Sequence, residues 1–189
     1  MNPDQTSKAG MAASGTAGPN ANPSAAPIDA ETLAFYQKVF QCVRSGDVEQ
    51  VGPLLEHGMS PKLRNEKGDS FIMLAAYHGR HEMARLLLER GADPEVFNDM
   101  GQTPLCGAAY KGDIEMVRLL LDHGAQVDGK LPDGKTALMF AAMFNRVEVL
   151  ELLIERGADP DARDAKGNSG CSLALAMNAH DTAARLAAA

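Results

Sequence analysis

Tryptophan is absent from this 189-residue chain, and aromatic residues of all kinds make up only 5% of it. Hydrophobic residues still reach 45%, so any core must be built mostly from aliphatic side chains and Ala. Cysteine is scarce too. Cys42, Cys106 and Cys171 are an odd set spaced about 65 residues apart. That excludes a disulfide framework and the paired spacing of a structural zinc site, and leaves reduced thiols packed on inner helices. No apolar run approaches the roughly 18 residues that cross a bilayer. Basic residues are outnumbered, with 18 Lys and Arg against 25 Asp and Glu, for a net charge of −7. A chain of that sign does not attract phosphate backbones, so nucleic acid is excluded as an expected partner, as is a membrane. The N-terminus carries one Lys, Lys8, and no apolar h-region. No secretory signal is expected there, and the expected compartment is the cytoplasm.

What the chain does have is ordered along its length. Residues 1–27 are mostly Ala, Gly, Pro, Ser, Asn and Thr. They offer too little apolar surface to offset the entropy of ordering, so a disordered tail is expected. The folded body, 28–189, opens at Asp29, which suits a helix N-cap. Leu33, Tyr36, Phe40 and Val43 line one face of the helix that follows, and Phe35, Val39 and Cys42 another. Two apolar faces predict a helix covered from two sides.

Internal repetition decides the fold. Gly58, Gly91, Gly124 and Gly157 recur every 33 residues, as do Gly68, Gly101, Gly134 and Gly167. Ser70, Thr103, Thr136 and Ser169 keep the same register. So do the pairs Ala75-Ala76, Ala108-Ala109 and Ala141-Ala142, and the triplets Leu86–Leu88, Leu119–Leu121 and Leu152–Ile154.

Each repeat reads as a Gly turn, a short helix bearing the Ala pair, a reversal at Gly79, Gly112 or Asn145, and a second helix bearing the Leu triplet. The second helix has an acid in its first turn, at Glu49, Glu82, Glu115, Glu148 or Asp181. It has a base in its last, at His57, Arg90, His123 or Arg156. Both complement the helix dipole, and the Gly that follows is the expected residue beyond the C-cap. Helices of about nine residues are marginal alone, so order must come from stacking repeat on repeat.

The 33-residue period, with Gly101-Gln102-Thr103-Pro104-Leu105, Ala108-Ala109, Gly91-Ala92-Asp93 and Gly157-Ala158-Asp159, resembles the ankyrin repeat family. The resemblance covers about residues 33 to 189. It implies an all-α solenoid of about five helix-turn-helix units, near 33–64, 65–97, 98–130, 131–163 and 164–189, joined by short β-hairpin or turn connections. Three departures stand out. The family's Thr-Pro-Leu-His appears as Thr103-Pro104-Leu105-Cys106, Thr136-Ala137-Leu138-Met139 and Ser70-Phe71-Ile72-Met73, so the hydrogen bonds of that His must be lost or replaced. Pro53 falls near the middle of a second helix, where it predicts distortion. The last unit reads Arg185-Leu186-Ala187 where others have three aliphatics, which suits a terminal cap with a wetter face.

Catalytic patterns are absorbed by the repeat. Gly129–Thr136 matches a phosphate-binding loop literally, but that motif needs a buried strand before it and a long helix after it. Gly134 and Thr136 recur as Gly101/Thr103 and Gly68/Ser70, where no Lys intervenes. His78, His81 and Glu82 lack the order of a zinc helix, and Gly79 puts the two His on different helices. His57 and His123 are two units apart, roughly 20 Å at the 8–10 Å spacing of packed helices, too far to share a metal. No cofactor, no metal and no catalysis are expected.

The resemblance implies binding through the inner-helix face and the adjoining hairpin tips. The non-repeating residues there are Tyr77 and His78, Tyr110 and Lys111, Met143 and Phe144, Ala176 and Met177. An exposed line of Tyr, Met and Phe has the composition of interface anchors, although some of it can instead tuck against the neighbouring helix. The tips contribute Lys67, Asp69, Met100, Gln102, Asp133 and Lys135, whose mixed charge can equally be a solvated face. The expectation is a cytoplasmic module, monomeric when unbound, that binds another protein. A dedicated inhibitor or stabilising subunit of one enzyme is the alternative, and a nucleotide-using enzyme acting through Gly129–Thr136 the third reading.

Overall fold

Seven to nine residues make a helix too short to persist alone in water, and nearly every helix of this protein is that short. The computed structural model describes residues 29–188, and the expected tail over 1–27 lies outside them. In order, the helices are α1 (Ala30–Ser45), α2 (Val48–Glu56), α3 (Phe71–Tyr77), α4 (His81–Glu89), α5 (Pro104–Lys111), α6 (Ile114–Asp122), α7 (Ala137–Met143), α8 (Val147–Glu155), α9 (Gly170–Ala176) and α10 (His180–Ala187). The described residues contain no strand. Two isolated antiparallel bridges, Arg64 with Ser70 and Arg163 with Ser169, are their whole β content. The architecture is the expected all-α solenoid.

Local chemistry sets each boundary. Ser70, Thr103, Thr136 and Ser169 accept the backbone N–H three residues on, capping α3, α5, α7 and α9. Asp29 does the same for Thr32 at 2.8 Å, and that hydrogen bond holds its carboxyl below the ordinary carboxylate value. The reversal between the two helices of a pair falls on positive φ, including 79° at Gly112 and 55° at Asn145. Pro53 does not break α2. The helix runs nine residues, as α4, α6 and α8 do, with Pro53 exposed on its solvent side. The backbone N–H of His57 donates to the Pro53 carbonyl at 3.0 Å, and the His57 ring lies 2.7 Å from it.

One continuous core runs the length of the stack, from Val39 to Ala183. The Ala pairs of α3, α5 and α7 are fully buried, which lets successive first helices approach closely. Leu87, Leu120 and Leu153 are equally buried between second helices. Each such Leu contributes about 1.5–3 kcal/mol, realised only when the next repeat is present to cover it. Exposed pairs tie the outer helices together: Arg90 to Glu56 at 3.1 Å, Arg156 to Asp122 at 2.8 Å, Arg185 to Glu151 at 3.2 Å. At the surface each contributes no more than about 1 kcal/mol.

The junctions at the inner helix ends alternate. Arg80 reaches back to the Arg44 carbonyl at 2.8 Å, and Arg146 to the Tyr110 carbonyl at 3.2 Å. Between them His81 meets Asp113 at 2.8 Å. Beyond them Asn145 meets Asp181 at 2.7 Å, and the Thr182 hydroxyl donates to the Ala142 carbonyl at 2.7 Å. Arg80, Arg146 and Thr182 thereby satisfy orphan carbonyls at helix ends with a side chain from the next pair.

α1 departs from the expected coverage. At 16 residues it is about twice the length of its neighbour α3, so its first turns have no first helix beside them. Leu33 and Phe35 are therefore exposed, at 49% and 45%, while Val39, Phe40 and Val43 are buried. Coverage begins at Val39, and the next ring, Phe40, meets Phe71 edge-on at 4.8 Å.

Candidate functional site

The first helices stand side by side along one face, where exposed and buried residues together line a groove of about 600 Å³. The groove runs from the hairpin tips, where Lys67, Asp69, Met100 and Gln102 project, to the helix ends at Tyr77, His78, Tyr110 and Phe144. Eight residues expected from the sequence to bind thus share one concave surface. Lys111 stands at its edge, with Nζ 4.3 Å from the centre of the Tyr77 ring and 5.8 Å from that of Tyr110. Met143, Met177, Asp133 and Lys135 do not line it. Lys135 is paired with Asp133 within its own turn, and that hydrogen bond lowers the Asp133 carboxyl below its ordinary value.

The aromatic line is not evenly exposed. Met100 is 74% exposed and Tyr77 47%, but Tyr110 only 36%, and Phe144 is half-buried. Tyr110 and Phe144 meet edge-on, ring centres 4.5 Å apart, so part of the expected anchor surface is spent on a contact between neighbouring repeats.

Side-chain acceptors within the turns hold the tips. Asn65 Oδ1 accepts from the Lys67 and Asp69 N–H groups, Asn98 Oδ1 from Met100 and Gln102, and Asp164 Oδ1 from Lys166 and Asn168, all at 2.8–3.0 Å. These residues keep the 33-residue register, with Leu131 as the one exception. Hydrogen bonds from Asn168 hold the Asp164 carboxyl below its ordinary value. The ladder aims the tips: Asp69 is gripped by Asn65 at 3.1 Å and by Asn98 at 2.9 Å.

The groove is cationic although the chain is acidic. Arg44 and Lys67 line it, Lys111 borders it, and Asp69 is the only carboxylate in its wall. Partial burial, and then the charges of Arg80, Arg44 and Lys111, push the His78 imidazole below its ordinary value. Arg44, Met73, Asn98, Cys106, Gly107 and Phe140 are lining residues that sequence reasoning did not single out.

The family model for ankyrin repeats in three copies matches residues 39–130 and 90–164, together two-thirds of the chain. This chain belongs to the ankyrin repeat family. An ankyrin repeat protein of Pseudomonas aeruginosa is 51% identical to it over 59 residues, which are 31% of this chain and 34% of that protein. The chain thus spans about a third of the length of the curated relative it matches. Ankyrin repeats are, in general, protein–protein interaction modules and are typically non-catalytic.

The repeat also accounts for the residues that mimic other chemistries. Gly129–Thr136 lies across a hairpin turn in which the Leu131 N–H donates to the Lys135 carbonyl at 2.9 Å, and Thr136 caps a helix of seven residues. His78 closes α3 and His81 opens α4. The His123 ring lies 2.9 Å from the carbonyl of Leu119 in its own helix. Among the described residues no three His, Cys, Asp or Glu side chains gather as metal ligands, and no helix is long and apolar enough to cross a membrane. Cys106, in the groove wall, is buried, and burial pushes its thiol up to about 11. It is a packing residue at neutral pH, not a thiolate nucleophile.

Proposed function

We propose that this ankyrin repeat chain is a cytoplasmic protein-interaction module, monomeric when unbound, that grips a partner protein in its concave groove and performs no catalysis. The observation that carries the reading is the groove itself. It is a continuous, partly aromatic surface of about 600 Å³ on a scaffold whose own stability does not require those side chains to be exposed. Tyr and Arg in a concave surface are the residue types that dominate binding energy at interfaces. The tips, held by the Asn65, Asn98 and Asp164 ladder, supply specificity from a rigid base. Met143, Met177, Asp133 and Lys135 have secondary roles at most on this reading, since they stand outside the groove.

The test is a double substitution, Tyr110→Ala with Phe144→Ala, assayed by capture of partners from the native host. Capture is expected to be lost. Because the two rings touch, stability is expected to fall by about 0.5–1.5 kcal/mol for the pair, together with the burial that half-buried Phe144 loses, and the stack is expected to stay folded. Capture that survives the double substitution contradicts the reading. If the captured partner is a single stoichiometric enzyme, the module acts as that enzyme's inhibitor or stabilising subunit through the same groove.

A further inference from the structure

One position of the groove floor breaks the repeat. In 33-residue register it is Gln41, Leu74, Gly107, Phe140 and Leu173. Four of the five carry large side chains. The third carries none, in the middle of α5, where Gly weakens a helix by roughly 1 kcal/mol relative to Ala. The fold does not demand it. Apart from its own helix, a methyl group placed on Gly107 meets no atom within 4 Å. Elsewhere in the first helices the opposite holds: a Cβ on Gly170 comes within 3.1 Å of Leu138 and 3.2 Å of Leu186. Gly170 is small because its neighbours press on it. Gly107 is small with open space above it.

That space is a notch in the groove wall, and the groove's lining also includes Leu74, Tyr77, Tyr110 and Phe140. Its missing content is one side chain of the kind the sister repeats place there, a Leu or a Phe. Among the groove's lining residues the cations Arg44 and Lys67 outnumber the one acid, Asp69, which already accepts from two Asn side chains, and Lys111 leans over Tyr77. We infer that the notch over Gly107 is an anchor pocket for one bulky apolar side chain on an acidic segment of the partner protein. This rests on the groove being the binding surface, and it adds the chemistry of what enters. Burial of the guest side chain supplies affinity, and the surrounding cations select carboxylate neighbours and speed association. Residues 1–28 of the chain itself do not fit the description of an acidic segment, since they hold one acid, Asp4, balanced by one base, Lys8.

The test is selection of nine-residue peptides, randomised around a fixed central Leu, Phe or Met, on the full chain, with affinities read by fluorescence polarisation. Selected peptides are expected to be rich in Asp and Glu on both sides of the centre and to bind at least ten-fold more weakly in 500 mM than in 50 mM salt. Gly107→Leu restores the side chain that Leu74 and Leu173 carry, and is expected to weaken them at least ten-fold while the protein stays folded. Gly107→Ala is expected to weaken them less. Peptides that lose binding on Tyr110→Ala with Phe144→Ala but keep it on Gly107→Leu overturn the anchor pocket and leave the groove standing. Peptides indifferent to both changes overturn the groove as well. Enrichment of basic or uncharged flanks, no enrichment over the Gly107→Leu control, equal binding of a peptide spanning residues 1–28, or a dimer of the chain that Gly107→Leu dissolves each overturns the proposal.

Discussion

The middle of the stack and its C-terminal end use the same short helices in opposite ways. At the end, α9 is wedged between α7 and α10. Gly170 leaves less than an ordinary contact to Leu138 and Leu186, and Thr182 and Asn145 lock the last junction with hydrogen bonds. In the middle, α5 is held equally well by its buried Leu105, Ala108 and Ala109, yet its outward face is left vacant at Gly107. The two glycines look alike in the sequence and answer to different demands. One makes room for the protein's own side chains. The other leaves room that the protein does not fill. Small residues at an inner helix therefore carry no single meaning until the neighbours of the absent Cβ are known.

Substitutions sharpen this contrast. The largest effect is expected at the tight end. Gly170→Leu forces several atoms into space already held by Leu138 and Leu186 and costs about 1–3 kcal/mol. That appears as a fall in Tm of several degrees, measured by circular dichroism. An unchanged Tm would mean that the end of the stack yields more readily than the distances imply.

A smaller effect is expected at the turn that leads into α9. Asp164 accepts three hydrogen bonds there, and its folded-state carboxyl lies below the ordinary value. The stability it contributes is complete above the unfolded-state carboxyl pKa and is lost as pH falls through the lower folded value. Asp164→Asn keeps the acceptor, as Asn65 and Asn98 do, and removes the titration. Urea unfolding between pH 5 and 2 is expected to show the wild type losing ground to the Asn variant only at the acid end of that range. Parallel curves would refute the role given to the carboxylate.

Much of the fold is legible in the sequence because stacking requires the same residue at the same place in every repeat. The Ser and Thr, the buried Ala pairs and the positive-φ glycines all recur for that reason, and the structure shows the Ser and Thr to be helix caps. Part of the concave surface is legible as well: Tyr77 and Tyr110 share a repeat position that becomes Met143 and Ala176 further on, and Phe144 stands where its neighbours carry Lys111 and Met177. The rest is hidden for physical reasons. Whether Tyr110 faces solvent or Phe144 depends on a distance between repeats that no local pattern encodes. The overhang of α1, which leaves Leu33 and Phe35 uncovered, depends on how far its neighbour α3 extends. The turn acceptors Asn65, Asn98 and Asp164 do keep the period, and can be found by asking which side chains in the turn accept hydrogen bonds. The Gly107 notch is a gap in a column of bulky residues. It is visible only when departures from the repeat are read as closely as the repeat itself.

The most direct test is the thermal unfolding of Gly107→Ala. If the position is kept open for a guest, the protein alone gains from a Cβ there: better helix propensity and no clash, about 0.5–1 kcal/mol, or a rise in Tm of about 1–4 °C. A lower Tm would mean that the fold itself requires glycine at this site, and that the notch is a by-product of packing.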